Sequence, residues 1–372
     1  MKKESSGGVK NMLVGKDLDK RIRSVLLDGD VIRVRELLET YDDVVERKLD
    51  RYDWKAIHFA ALSGHVDVVM LLIQNGADVN AVNKDKWTSL HLAAWKSHVE
   101  VAKLLIQNGA DVNAVNKDNR MSLHFAAENG HVDTVKLLIQ NGADVNTLGC
   151  IYKSALRTAA IHGYVKIAKL LIQGGADVHE SGKNNVTILH VASSWGHADV
   201  VKLLIQNGAD VNAVEISRNR TSLHFAVREG HFNVAKMLIQ NGADVNALSK
   251  HNESVLFFDA SRWFRKSVVP TLALICLGAK IDLKALKRDK TGLLCKIKDR
   301  IEKLRNGDYH ITNLYSNEER KFMWNLAFLL AWKTKFVAFK VYYKIRSFIT
   351  FNGIFMAFGF DLGKKNIWRT EV

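Results

Sequence analysis

The stretch Leu71–Asp85 reads L-L-I-Q-N-G-A-D-V-N-A-V-N-K-D, and the same letters return unchanged at Leu104–Asp118. Working outward, its Gly-Ala pair recurs at Gly76, Gly109, Gly142, Gly175, Gly208, Gly242 and Gly278, with steps of 33, 33, 33, 33, 34 and 36 residues. A second marker keeps pace with the first: His58, His91, His124, Arg157, His190, His224 and Phe257. Two markers held in phase over seven units are an internal repeat. A unit of this size cannot bury its own apolar face, so the units must stack.

Each unit reads as two short helices and a polar turn. Thr88-Ser-Leu-His-Leu-Ala-Ala-Trp-Lys96 opens on a threonine whose hydroxyl can accept a bond from an orphan N–H at a helix start. Val99–Gln107 reads as the second helix, with Val101, Leu104 and Leu105 as its apolar positions. It stops at Asn108-Gly109, where glycine can take the left-handed conformation that closes a helix. Helices this short are marginal in isolation.

The run T-S-L-H-x-A-A-x-x-x-H-x-x-V-x-x-L-L-I-x-x-G-A-D-V-N resembles the ankyrin repeat, whose T-P-L-H appears in this chain as T-S-L-H. The resemblance implies an all-α solenoid of about seven helix–turn–helix units with capping half-repeats, followed by a basic, aromatic-rich helical region. We expect a disordered tail over 1–17 and an N-terminal capping half-repeat over 18–52. Repeats then fill 53–283, with starts near 53, 86, 119, 152, 185, 219 and 252. A capping helix or half-repeat over 284–306 and the basic aromatic region 307–372 complete the chain. One departure is systematic: the family's proline is replaced by Ala56, Ser89, Ser122, Ala155, Ile188, Ser222 and Val255. Proline is pre-set for the first helical position, so its loss predicts an array less stable than a proline-bearing one.

Evenly spaced histidines suggest a metal site. Packed helices lie about 10 Å apart, whereas zinc needs its ligands at about 2 Å, so neighbouring imidazoles cannot share an ion. They are expected to bridge adjacent turns by hydrogen bonds, and Gly64-His65, Gly130-His131, Gly196-His197 and Gly230-His231 to form inter-helix corners. No phosphate-loop, dinucleotide, H-E-x-x-H or G-x-S-x-G pattern occurs. The reading is therefore a non-enzymatic scaffold, with no catalytic residue, no cofactor and no metal.

Comparing the units with one another separates packing positions from variable ones. The pair of positions after Ala-Ala varies, giving Trp95, Lys96, Glu128, Asn129, His162, Ser194, Trp195 and Arg228. In ankyrin arrays such positions line the concave groove, and tryptophan is enriched at binding hot spots. The loop tips also vary and offer Lys84, Lys86, Trp87, Arg120, Tyr152, Lys153, Arg218 and Arg220. Their basic lean predicts a protein partner with an acidic surface. A monomer is expected.

The 54 Lys and Arg against 39 Asp and Glu give a net charge of +15, concentrated after Lys284, where aromatic residues also gather. Region 307–372 would dock on the last repeat, or touch an anionic membrane weakly and reversibly. Nucleic acid is the least favoured partner, since no recognised motif accompanies the basic residues. The end, Arg369-Thr370-Glu371-Val372, fits the Ser/Thr-x-hydrophobic pattern taken by PDZ domains, through Thr370 and Val372. The single proline, Pro270, leaves no Leu-Pro start for an F-box-like adaptor. The amino terminus carries no apolar signal core, and uncharged runs fall short of the ~18 residues of a spanning helix, so a cytoplasmic location is expected. Near-identical repeats in a Lys-, Asn-, Ile- and Phe-rich chain resemble ankyrin proteins of bacteria living inside host cells. That resemblance implies an effector delivered into a host-cell cytoplasm.

Overall fold

The computed structural model describes residues 15–149 and 153–255. Fourteen α-helices follow one another among the described residues. A leading pair, α1 (Gly15–Asp28) and α2 (Val31–Thr40), precedes six pairs of one pattern. These are α3 (Ala56–Ser63) with α4 (Val66–Gln74), α5 (Ser89–Lys96) with α6 (Val99–Gln107), and α7 (Ser122–Glu128) with α8 (Val132–Gln140). They continue as α9 (Ala155–His162) with α10 (Val165–Gln173), α11 (Ile188–Trp195) with α12 (Ala198–Gln206), and α13 (Ser222–Glu229) with α14 (Phe232–Gln240). Helix α1 starts ahead of residue 18, the boundary read from the sequence, and it comes as a full helix pair with α2. The seventh unit beyond residue 255, the segment 284–306 and the region 307–372 lie outside the described residues.

The first helix of each pair packs on its counterpart in the next, and the second helices do likewise, so the molecule grows in one dimension. Small residues make this approach possible. The pairs Ala60-Ala61, Ala93-Ala94, Ala126-Ala127 and Ala159-Ala160 are almost wholly buried where the first helices meet. In α6 the buried residues are Val101, Ala102 and Leu105. Leu104 is only half-buried, because at 3.6 residues per turn Val101 and Leu105 share the core face while Leu104 falls on its flank.

The helix starts follow the register read from the sequence. Thr88 is extended (φ −99°, ψ 166°) and its hydroxyl accepts from the His91 N–H, so Ser89 is the first helical residue. Ser122 and Ser222 stand at the same place after extended Met121 and Thr221. An extended preceding residue is what a proline requires, and the N–H that proline lacks has no helical partner here in any case. The hydroxyls of Ser89 and Ser222 are buried without a hydrogen-bond partner among the described residues. Ser89→Pro, Ser122→Pro and Ser222→Pro are each expected to add about 0.4–1 kcal/mol by restricting the unfolded chain. Thermal unfolding of the triple variant checks this, and an unchanged or lowered Tm would contradict the register.

Two ladders tie the turns together. The amide of Asn80 donates to the Gly109 carbonyl (2.9 Å) while its oxygen accepts from the Asp111 N–H (2.8 Å). Asn113, Asn146 and Asn212 repeat this double bridge to the following unit. His179 occupies that place in the fourth unit, where an imidazole replaces the bridging amide. The second ladder is the buried histidine column. The Thr88 N–H donates to His91 Nδ1 (3.0 Å), so Nδ1 is the unprotonated nitrogen and Nε2–H donates to the Arg120 carbonyl (3.0 Å). His58, His124 and His190 make the equivalent bridges to Ala81 and Trp87, to Thr147, and to Arg220. These imidazoles are committed to backbone groups, and no cluster of three metal-ligating residues exists among the described residues.

Short antiparallel strands appear in the most elaborate turn, β1 (Val214–Glu215) and β2 (Arg220–Thr221), with Val214 opposite Thr221 and Glu215 opposite Arg220. That unit is one residue longer. The Glu215 carboxylate accepts from the Ser217 N–H (2.9 Å) and the Arg218 N–H (2.8 Å). In shorter turns Asn83 and Asn116 do this work by accepting two backbone N–H bonds each. A longer acid spans a longer loop.

Candidate interaction surface

The carboxyl ends of the first helices and the roots of the turns face one another. The turn root stands eight residues before the helix end, so Trp87 meets Trp95 (ring centroids 6.1 Å apart, edge to face) and Arg120 pairs with Glu128. Trp87 also packs against Phe125 at 4.4 Å. The Arg120 guanidinium lies 4.1 Å from the Phe125 ring, and Lys96 Nζ lies 4.1 Å from the Trp95 ring. Groove and turn positions that look separate in the sequence thus form one cationic–aromatic cluster: Trp87, Trp95, Lys96, Arg120, Phe125 and Glu128. Phe125 is the member that sequence comparison missed. Its signal is that the residue after the marker histidine varies, being Phe59, Leu92, Phe125, Thr158, Val191 and Phe225 in turn.

Trp95 is 38% exposed and Trp195 60%. The other variable groove residues divide. Asn129 caps its own helix by donating to the Phe125 carbonyl (2.8 Å). His162 is exposed and stacks on Tyr164. Ser194 is half-buried, and Arg228 Nε donates to Glu229 (2.7 Å) while its guanidinium lies 5.4 Å from the Phe225 ring.

At the turns, Lys84 donates to the Arg51 carbonyl (2.7 Å) and lies 3.7 Å from Asp53, so part of the basic lean is neutralised between neighbouring turns. Lys86, Lys153 and Arg218 are exposed. Arg220 is not a tip residue: it is only 7% exposed. It sits in β2 at the turn root, where burial, then Arg218 and Arg228, holds its guanidinium below the ordinary arginine pKa. Tyr152, Thr370 and Val372 lie outside the described residues.

The backbone beneath this surface is pinned. His98 Nε2 donates to the Leu62 carbonyl (3.0 Å), His131 to Trp95 (3.0 Å), His197 to Ile161 (2.9 Å) and His231 to Ser194 (3.0 Å). Each histidine comes from the next unit and passes over a helix-closing residue. Gly64 is left-handed (φ +80°), and a Cβ there would lie 2.5 Å from His98 Nδ1. Ser97 takes the same conformation (φ +62°) without glycine's freedom.

A family model described as "Ankyrin repeats (3 copies)" matches residues 25–116, 76–149, 113–182 and 156–249, which together cover more than half of the chain. The chain belongs to the ankyrin-repeat family. A solved structure of the human ASB11 ankyrin repeat domain superposes with a TM-score of 0.54 at 28% identity, covering 61% of this chain and 99% of that one. Among curated proteins, "Probable E3 ubiquitin-protein ligase XBOS33" of Oryza sativa subsp. japonica is 41% identical over 69 residues, 17% of this chain and 12% of its own length. Human "Ankyrin repeat domain-containing protein 39" is 36% identical over 74 residues, 20% of this chain and 39% of its own. "Putative ankyrin repeat protein FPV240" of Fowlpox virus (strain NVSL) is 32% identical over 73 residues, 19% of this chain and 17% of its own. The matched stretch thus spans well under half of each of these relatives. As an ankyrin-repeat array the chain is a protein–protein interaction scaffold, on a fold that is typically a non-enzymatic binding module. No helix among the described residues is long and apolar enough to cross a membrane.

Proposed function

We propose that this scaffold grips a protein partner on the surface formed by the first-helix ends and the turn roots. The observation that carries the reading is the cluster of Trp87, Trp95, Lys96, Arg120 and Phe125, prolonged by the exposed Trp195. Exposed or half-exposed indoles beside cations, seated on buried Phe125 and on backbone already held in place, bind with little further ordering. The exposed lysines and arginines of the turns support a partner with an acidic face. The near-identical repeats and the composition support a bacterial effector acting in a host cytoplasm. The basic aromatic segment 307–372 would then position the captured protein, for instance at an anionic membrane.

Trp95→Ala combined with Trp195→Ala is expected to weaken capture of the partner at least about tenfold, as loss of a central hot spot does. The helical circular dichroism and the melting transition should be retained, since both rings are substantially exposed. Capture from host-cell lysate by wild type and double variant, followed by titration of the captured protein, checks it. Undiminished capture by the double variant would overturn the reading.

A further inference from the structure

Lys96 and Trp195 occupy the same helix position three units apart, each beside the helix end that carries the variable pair. We infer that the occupant of this surface is an extended acidic peptide segment held at two apolar anchor points about nine residues apart, one on Trp95 and one on Trp195. The inference rests on the binding surface proposed above and specifies what lies in it.

The spacing comes from the stack. Successive packed helices lie about 10 Å apart, so three steps separate the two tryptophans by about 30 Å, which an extended chain crosses in about nine residues at ~3.3 Å each. The ground between them is polar and largely self-satisfied. Glu128 is held by Arg120, Asn129 caps its own helix, and His162 stacks on Tyr164. No second large aromatic is exposed between the two anchors among the described residues, so affinity must concentrate at the ends.

The sign of the charge follows from what remains after internal pairing. Glu128 and Glu229, the two groove carboxylates, already face Arg120 and Arg228. Lys96 lies over the Trp95 ring, where a carboxylate could reach it while an apolar side chain rests on the indole. Exposed Lys86, Lys183 and Arg218 stand on the turns along the same stretch. The pinned carbonyls of Trp95 and Ser194 fix both anchor sites before binding, which is what makes an anchor separation selective.

The experiment titrates the full-length chain against fluorescein-labelled peptides of one glutamate- and serine-rich background, read by fluorescence anisotropy. One peptide carries two phenylalanines about nine residues apart, a second carries them about four apart, and a third carries only one. A fourth keeps the wide spacing on a lysine-rich background. The wide acidic peptide should bind at least about tenfold more tightly than the other three. Trp195→Ala and Lys96→Glu should each remove about tenfold of that affinity while leaving the melting temperature unchanged. Equal binding of all four peptides, or no measurable binding of the wide acidic one, overturns the inference. If the single-anchor peptide binds equally and Trp95→Ala alone abolishes it, the two-point model fails while the binding surface stands. Peptide binding that survives both tryptophan substitutions removes the surface itself.

Discussion

Acidification is expected to unfold the array, with the loss of stability falling between about pH 6.5 and about pH 4. His58, His91, His124, His190 and His224 all have lowered pKa values, with burial the leading cause, and His91 and His224 are brought down to about 4. Arginines add to this: Arg120 near His91 and His124, Arg157 near His190, and Arg220 near His224. The hydrogen bonds say the same in geometric terms, because a proton on Nδ1 would point at the backbone N–H that now donates to it.

The sign follows from which state binds the proton. An unfolded histidine takes up a proton as pH falls through about 6.5, whereas the folded one resists until its lowered value is reached. Stability is therefore fully present above about pH 6.5 and declines below it. For His91 and His224 the fall to about 4 corresponds to about 3 kcal/mol apiece, and the other three act in the same direction. Two sites alone reach the lower end of the ~5–15 kcal/mol by which ordinary domains are stable. Asp144, whose carboxylate is held below its usual range by the Asn146 N–H and the Thr147 hydroxyl, would release its share only at more acid pH. Urea titrations at a series of pH values measure the effect. A stability that stays flat between about pH 6.5 and about pH 5 would show that these imidazoles are not buried as described.

Arg157→Ala is expected to cost about 3–5 kcal/mol, the penalty for stranding one member of a buried ion pair. Arg157 stands where His58, His91, His124, His190 and His224 stand in their units. Its Nε donates to the Glu180 carboxylate (2.7 Å), and its side chain reaches the Glu180 carbonyl (3.3 Å) and the Val186 carbonyl (2.9 Å). Those two carbonyls correspond to Ala81 and Trp87, which receive His58. The guanidinium thus reproduces the imidazole's bridge and brings a charge with it. Glu180, at the position of Ala81, Ala114 and Ala213, balances that charge, with side-chain exposures of only 7% and 12% for the pair. Glu180→Ala should also destabilise. Arg157→His with Glu180→Ala restores the pattern of the neighbouring units and should recover most or all of wild-type stability. Equilibrium denaturation of wild type, Arg157→Ala, Glu180→Ala and Arg157→Ala with Glu180→Ala gives the coupling, and two single losses that simply add in that alanine double variant would refute the pairing.

The repeat made the scaffold legible because each unit serves as the control for the others. Recurrent Thr, His, Ala-Ala and Gly positions announce caps, bridges, close packing and helix stops, and the helices start where Ser89, Ser122 and Ser222 say they should. What escaped were departures that compensate one another across a distance. Arg157 and Glu180 lie 23 residues apart, so each looks like an isolated substitution until the fold joins them. Arg220 looks like a tip cation in a basic loop, yet one inserted residue and the Glu215 carboxylate rebuild that turn as a strand pair and draw the side chain inward. Trp87 was legible as a variable residue. Its meeting with Trp95 depends on a turn folding back over a helix end, which sequence spacing alone does not express.

The histidine clamps give the stack a direction. His131 steadies the tryptophan-bearing end of α5, and His231 steadies that of α11, always from the carboxyl-terminal neighbour. Trimming units from the far end would therefore slacken a helix end in a module whose own sequence is untouched, whereas trimming from the front would leave the survivors' clamps engaged. The shape of the α5 and α11 helix ends is, in this sense, underwritten by the module translated after each.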